Sequence, residues 1–378
     1  MNISKIHNCY GCGVCAISCT KNIISIELND NGFYEPRISD VNKCTDCGLC
    51  FDVCAYSHDE ISLQNLEIHS YAAWSNDSAV RRKCSSGGVG FELGRMMLSK
   101  GYKVCGVRYN AEVVRAEHYI ATTLEELIQS IGSKYIQSYT VDGFKGISRK
   151  EKYLVTGTPC QIDSFRRYIR RFRVEDNFVL MDFFCHGVPS MFVWQKYLKD
   201  VEKVVGKVTY ASWRNKWGWH DSWAIGIDGE KHGKKVNWHD SYNSLIKERK
   251  TFVNSRLSQG DKFYALFLGD GCLGGACYDH CKYKYKHSSA DIRIGDAWGT
   301  CYKKDEDGVS AVITFTSIGN EWLKKANLHI EQKPFDVVAE LQIKKASKRT
   351  LITKILMKEL KKESSSMMCM LYSCCIIN

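Results

Sequence analysis

Two cysteine blocks repeat one spacing: Cys9-x-x-Cys12-x-x-Cys15-x-x-x-Cys19 and Cys44-x-x-Cys47-x-x-Cys50-x-x-x-Cys54. Iron–sulfur clusters need soft thiolates. A tight C-x-x-C-x-x-C loop wraps three of them round one cube, and the distant fourth cysteine of each block serves the other cluster. The spacing therefore predicts one 4Fe–4S cluster on Cys9, Cys12, Cys15 and Cys54, and a second on Cys44, Cys47, Cys50 and Cys19. Zinc is the rival, favoured by paired C-x-x-C but not by four cysteines in a row, twice. Thr20 and Ala55 stand where this pattern usually carries proline, which loosens the turn and removes no ligand.

A third group of cysteines follows strands rather than loops. The apolar run from Tyr153 to Thr156 ends in Gly157-Thr158-Pro159, and Cys160-Gln161 then opens a helix. Pro159 suits a first helical position, where its fixed φ helps and its missing N–H costs nothing. The free amides of such a turn make an anion seat. The strand Phe178 to Phe184 runs straight into Cys185-His186-Gly187, the same layout again. Two cysteines just past neighbouring strands converge at one rim of a parallel sheet, where open α/β sheets bind ligands. Cys277 and Cys281 complete a four-cysteine set with Cys160 and Cys185; the alternative is four separate buried thiols. Upstream, Ser85-Ser86-Gly87-Gly88 before an apolar helical stretch is either an ordinary helix cap or a second phosphate-type cradle with the basic flank Arg81-Arg82-Lys83. His186 and Asp296, at strand ends on the same rim, are the candidates for tuning a bound cofactor or protonating a product.

The elements that must position these groups belong to an α+β chain of 378 residues, 44% hydrophobic and 25% charged, long enough for more than one domain. A net charge of +11 favours acidic partners such as an acidic redox protein. Nineteen cysteines at metal-ligand spacing, behind a polar Met1–Asn8 stretch, read as intracellular metal binding rather than secreted disulfides. A cytoplasmic location is expected, and no apolar run approaches the ~20 residues of a membrane span. Between the cysteine blocks, Ile24 to Leu28 alternates like a strand and Asn29-Asp30-Asn31-Gly32 makes a hairpin turn. The expected divisions are 1–66, a two-cluster ferredoxin module; 67–188, a mixed α/β part; 189–330, with an additional β-rich region that completes the third cysteine set; and 331–378, a basic helix and tail. The helix from Ile162 to Arg173 carries Arg166, Arg167, Arg170, Arg171 and Arg173, which form either a solvated face or a docking patch for an acidic electron donor. Six of the nine tryptophans lie from Trp194 to Trp238, and a flat aromatic wall is expected there.

Read together and in order, these motifs carry a family resemblance. Gly157-Thr158-Pro159-Cys160-Gln161-Ile162, Cys185-His186-Gly187-Val188-Pro189, Trp213-Arg214-Asn215-Lys216-Trp217-Gly218, Ala276-Cys277-Tyr278-Asp279-His280-Cys281 and Ala290-Asp291-Ile292-Arg293-Ile294-Gly295-Asp296 follow one another behind the ferredoxin module. Over roughly residues 1–300 the chain resembles the coenzyme F-420 hydrogenase/dehydrogenase beta-subunit family. The family commonly spaces its last two cysteines C-x-x-C, whereas three residues intervene here, and Gly274-Gly275 replaces a usual Arg-Pro. The resemblance implies a flavoprotein that binds FAD beside a third 4Fe–4S cluster on Cys160, Cys185, Cys277 and Cys281. It places Ser85, Ser86, Gly87, Gly88, Thr156, Gly157, Thr158, Pro159 and Gln161 around the FAD. Electrons would come from ferredoxin or a hydrogenase/dehydrogenase subunit and leave to a small-molecule hydride acceptor, F-420 or another. Neither nucleic acid nor a membrane is implied, and a homo-oligomer is compatible. The other readings are a non-catalytic electron-transfer subunit of a larger complex and a reductase acting on polysaccharide or surface precursors.

Overall fold

The computed structural model describes residues 2–63, 68–216, 224–236, 261–363 and Met367. The two cysteine loops lead into short helices α1 (Val14–Ser18) and α2 (Leu49–Asp52), each entered through a left-handed glycine, Gly13 at φ 72° and Gly48 at φ 75°. Between them β1 (Ile24–Leu28) and β2 (Tyr34–Ile38) form the expected antiparallel hairpin. Inward-facing Ile24, Ile26 and Tyr34 pack on Val141 of the main body.

The main body continues through β3 (His69–Ser75), α3 (Ser78–Lys83), α4 (Val89–Ser99), β4 (Lys103–Asn110), β5 (Arg115–Ala121), α5 (Leu124–Ile128), β6 (Ser138–Tyr139) and α6 (Val141–Lys145). Next come β7 (Tyr153–Thr156), α7 (Pro159–Arg171), β8 (Phe178–Phe183), α8 (Met191–Val205), β9 (Lys207–Asn215), β10 (Ala224–Lys231) and β11 (Lys234–Val236). The last are α9 (Lys262–Leu268), α10 (Gly275–Asp279), β12 (Ile292–Asp296), β13 (Ser310–Thr314), α11 (Ser317–Lys325), β14 (Leu328–Gln332) and α12 (Leu351–Lys361). Among the described residues, nine strands form one sheet in the order β14-β3-β13-β12-β8-β7-β4-β5-β6. The parts expected at 67–188 and 189–330 thus share a sheet, while β9, β10 and β11 make the separate β-rich piece.

Strands β4, β7, β8 and β12 run parallel, and β3 points the same way through two antiparallel steps across β13. All five end at one rim. The sheet is covered on both sides, so its central strands are apolar without alternation. One face packs Val89, Leu93 and Met97 of α4 over Leu154, Val179 and Ile292. The other packs Ile162, Phe165 and Ile169 of α7 over Val155, Phe178 and Leu180. That second face also takes Cys12, Val14 and Val53, so the cysteine module is part of the same core.

Several expectations change. The arginines named on this helix divide: Arg170 and Arg171 are exposed, as is Arg173 just beyond α7, while Arg166 and Arg167 are drawn inward. Arg166 is buried on Asp291 at 2.8 Å, and Arg170 donates to the Ser62 carbonyl and pairs with Glu175. Arg167 donates to the Glu60 carbonyl. They fasten the stretch after the second cysteine block to the sheet. The basic helix expected within 331–378 spans Leu351–Lys361, where Thr350 caps it; Leu341 sits at φ 64°. Trp194 and Trp213 are buried core side chains packed on Tyr109 and Phe263. Trp217, Trp219, Trp223 and Trp238 lie outside the described residues, as do Cys369, Cys374 and Cys375 of the tail.

Candidate functional site

Cysteine geometry follows from which loops the core holds still. Cys9, Cys12, Cys15 and Cys54 line one cavity, closed by Ile3, Ile6, Ile26 and Pro36. Burial drives the thiols of Cys9, Cys12 and Cys15 upward, Cys12 to about 11 with the charge of Cys54 adding to the effect. Cys50 is likewise raised, by burial and then by its neighbours Cys19, Cys47 and Cys44. The structure therefore draws together the two quartets that the spacing predicts, each with one cysteine from the other block.

The third set also converges. Cys160, Cys185, Cys277 and Cys281 line a second cavity together with Cys9, Tyr10, Thr158, Gln161, Tyr283 and Lys284. The space within, counted to its open mouth, is about 620 Å³. The three-residue gap from Cys277 to Cys281 is taken up by the end of α10 and a turn at His280, so both thiols still reach the cavity. Burial pushes Cys277 up to about 12 and raises Cys160 and Cys185, the charges of the other thiols adding to it. Among the described residues, no three His, Cys, Asp or Glu side chains are grouped to hold a single metal ion. A cube that takes one thiolate at each of four irons spaces its ligands more widely than one ion does. Soft donors, all sulfur, in a dry pocket fit such a cube. Thiols ligate as thiolates, so binding the metal releases protons.

Three ties hold this cavity in register, none of them read from the sequence. Asp182 on β8 and Arg293 on β12 lie side by side and form a fully buried fork, with both bonds at 2.7 Å. Arg293 also donates to the Tyr283 and Tyr285 carbonyls at 3.1 and 3.0 Å, which fixes the loop after Cys281. From that loop Lys284 donates to the carbonyls of Cys185 and His186 at 2.7 and 2.9 Å. Tyr283 donates to Asp163 of α7 at 2.8 Å, one turn from Cys160. Asp163 also accepts from the Ser62 amide and the Ser289 hydroxyl. The motif Ala290–Asp296 contained Arg293, but which carbonyls it holds depends on strand pairing.

The two cysteine cavities share a wall. Cys9 lines both, and so does Tyr10. The Tyr10 ring packs edge-on to Tyr56 and Tyr283, and its backbone carbonyl accepts from Gln137. Ser164 on α7 accepts from the Ala55 amide at 3.0 Å and from the Cys12 thiol at 3.2 Å.

The remaining candidates are placed as follows. The Thr156–Pro159 turn ends β7, but its seat is largely filled from within. Gln161 accepts from the Thr158 amide at 2.8 Å, and the Thr158 hydroxyl lies 3.2 Å from the Cys160 sulfur. The turn serves the thiol cavity first. Ser85 to Gly88 lies at the end of β3: the Gly87 amide donates to Ser310, Ser86 donates to the Val309 carbonyl, and Ser85 donates to the Arg214 carbonyl. His186 Nε2 is 2.8 Å from Asp270 and 3.1 Å from the Phe267 carbonyl, so it carries the proton between two acceptors. Asp296 lies 3.4 Å from the buried Arg214 guanidinium.

Comparison with known proteins identifies the family. Residues 150–338, half of the chain, match the family model for the C terminus of the coenzyme F420 hydrogenase/dehydrogenase beta subunit. The chain belongs to that family. Residues 70–143 match the N-terminal model of the same beta subunit, and residues 8–58 match a 4Fe-4S dicluster domain. This member of the family is therefore an iron–sulfur protein. A 72-residue stretch is 38% identical to the coenzyme F420 hydrogenase subunit beta of Methanococcus voltae, over 18% of this chain and 26% of that protein. The chain thus spans about a quarter of that relative's length in the match. Among solved structures, the F420-reducing NiFe hydrogenase complex from Methanosarcina barkeri aligns at 19% identity with a TM-score of 0.48, over 81% of this chain and 91% of that one. No described helix is long and apolar enough to cross a membrane.

Proposed function

We propose that this chain is an iron–sulfur flavoprotein oxidoreductase that couples a one-electron protein donor to a hydride acceptor, coenzyme F-420 or another small organic molecule. The observation that carries the reading is the convergence of Cys160, Cys185, Cys277 and Cys281 on a cavity whose wall includes Cys9 of the ferredoxin module. When bound, the clusters supply one-electron steps and FAD converts them into hydride chemistry. The chain's own part is to hold the carriers close, dry and in order.

Support for a flavin seat comes from the turn before α4. Gly88 opens that helix at φ 87° with no side-chain cap, and a Cβ on Gly87 would lie 2.4 Å from the Ala73 carbonyl. An uncapped helix start beside glycine favours an anion such as a pyrophosphate. Lys216 is tied to the Ser86 and Arg81 carbonyls, and Arg214 is buried over the Trp298 ring, so the turn has positive charge on both sides. Ser85, Ser86, Gly87 and Gly88, with Thr156, Gly157, Thr158, Pro159 and Gln161 across the rim, are the residues proposed to hold FAD. His186 and Asp296 are proposed to orient the acceptor or hold a proton beside it. The proposed donor is a ferredoxin or a hydrogenase/dehydrogenase subunit.

Iron and flavin content test the reading. Freshly isolated protein should carry about twelve irons, four for each of three cubes, and one FAD. Cys160→Ser should remove one cluster signal while the other two stay reducible. About eight irons in the parent protein, or no flavin, would overturn the proposal.

A further inference from the structure

The two neighbouring cysteine cavities are lined differently, although the Lys282 ammonium sits behind Cys54, donating to the Ala55 carbonyl at 2.9 Å. The walls around Cys9, Cys12, Cys15 and Cys54 present no charged side chain among the described lining residues. The walls around Cys160, Cys185, Cys277 and Cys281 present one, Lys284. Lys284 is 7% exposed, and its ammonium is pinned by the Cys185 and His186 carbonyls. The carboxylates of that neighbourhood are engaged elsewhere: Asp182 with Arg293, Asp163 with Tyr283 and Ser289, and Asp270 with His186. A desolvated cation therefore stands beside four thiols with no carboxylate of its own among the described ion pairs. Water screens it little, so its field reaches the cavity at far more than its strength in solution.

Reducing a thiolate-bound cluster adds one negative charge to its site, and cluster potentials respond to net charge and hydrogen bonding around the sulfurs. Resting on the four-cysteine reading above, we propose that Lys284 raises the reduction potential of the cluster on Cys160, Cys185, Cys277 and Cys281. Lys284 acts as a positioning and tuning residue that touches the loop carbonyls rather than the acceptor.

The test is a redox titration of the intact protein followed by electron paramagnetic resonance, on the parent, Lys284→Gln, Lys284→Met and Lys284→Arg. Gln keeps a hydrogen-bond donor and loses the charge; Arg keeps the charge. The expected result is a tenfold or larger loss of the inner site's reduction equilibrium in the Gln variant, 59 mV for one electron, with the Arg variant near the parent and the ferredoxin pair unmoved. An inner midpoint that stays put or rises in the neutral variants overturns the inference. So does loss of the inner signal in both neutral variants with the ferredoxin pair intact, because Lys284 is then only a structural tie. A parent protein with eight irons and no third signal fails the four-cysteine reading itself and takes the inference with it.

Discussion

Replacing Arg293 with methionine tests how the third cavity is held. Arg293 and Asp182 are both fully buried, and two 2.7 Å bonds join them across β12 and β8. Burial raises the Asp182 carboxyl, and Arg293 is what opposes that. Removing the guanidinium strands a carboxylate in the core, a change that costs about 3–5 kcal/mol. In a unit this large each kcal/mol moves the melting temperature by about 2 °C, so Arg293→Met should melt about 6–10 °C below the parent. The variant also frees the Tyr283 and Tyr285 carbonyls, and with them the loop that carries Cys281. The paired change Asp182→Leu with Arg293→Met removes both charges, and such swaps are often neutral. It should recover most of the lost melting temperature, yet leave the inner cluster signal weak because the two carbonyl ties are still gone. Circular dichroism melts and iron counts on all three proteins measure this. A single variant that melts within about 2 °C of the parent and keeps about twelve irons would refute the reasoning.

Gly11→Ala should loosen the ferredoxin module. Gly11 sits at φ 62°, and a Cβ there would lie 2.4 Å from the Tyr34 carbonyl and from Gln137 Nε2. The left-handed backbone alone costs about 1 kcal/mol, and displacing Gln137 breaks its bonds to Tyr10 and Tyr34. Faster amide hydrogen exchange at Tyr34 is expected, and unchanged exchange would argue against it. His118 is buried against Thr156 and Phe144, and burial pushes its pKa down to about 4. The unfolded chain takes up that proton near pH 6.5 and the folded chain only near pH 4. Stability is therefore whole above pH 6.5 and falls as pH drops towards 4, by about 3 kcal/mol at the limit. His118→Gln should flatten that slope; a parent stability independent of pH across the window would exclude the effect.

What could be read from the sequence was whatever short spacing encodes. The C-x-x-C-x-x-C blocks mark a dicluster module, matched over residues 8–58, because its ligand spacing is local. The hairpin at Asn29–Gly32 and the strands into Cys160 and Cys185 are equally local. Tertiary pairing decided the rest. Arg166 and Arg167 look like part of a solvated face by composition, because helical spacing does not tell which groups lie across the groove. Lys284 reads as one more lysine in a basic stretch until β8 and β12 bring it to the Cys185 carbonyl. The Thr156–Pro159 turn has the form of an open anion seat, and Gln161, two residues beyond the proline, closes part of it.

The helix α7 sets the spacing between the ferredoxin module and the inner cavity. Residues four apart in a helix share a face and are separated by about 6 Å along the axis. Cys160 lines the inner cavity, and Ser164, four residues on, touches the Cys12 thiol and the Ala55 amide. Asp163 lies between them in sequence and holds Tyr283 and Ser62 at once. One rigid turn thus bears on both cysteine sets, backed by Ile162, Phe165 and Ile169 in the sheet's core. Inserting a single alanine after Gln161 would rotate everything beyond it by about 100°. Cys160 would keep its place at the rim, while Ser164 and Asp163 would swing off the Cys12 thiol and the Tyr283 hydroxyl. The expected result is a protein that still reduces its ferredoxin pair but passes electrons onward to the inner site at least tenfold more slowly in freeze-quench measurements. Transfer at the parent rate would show that the module is held by its hairpin contacts instead.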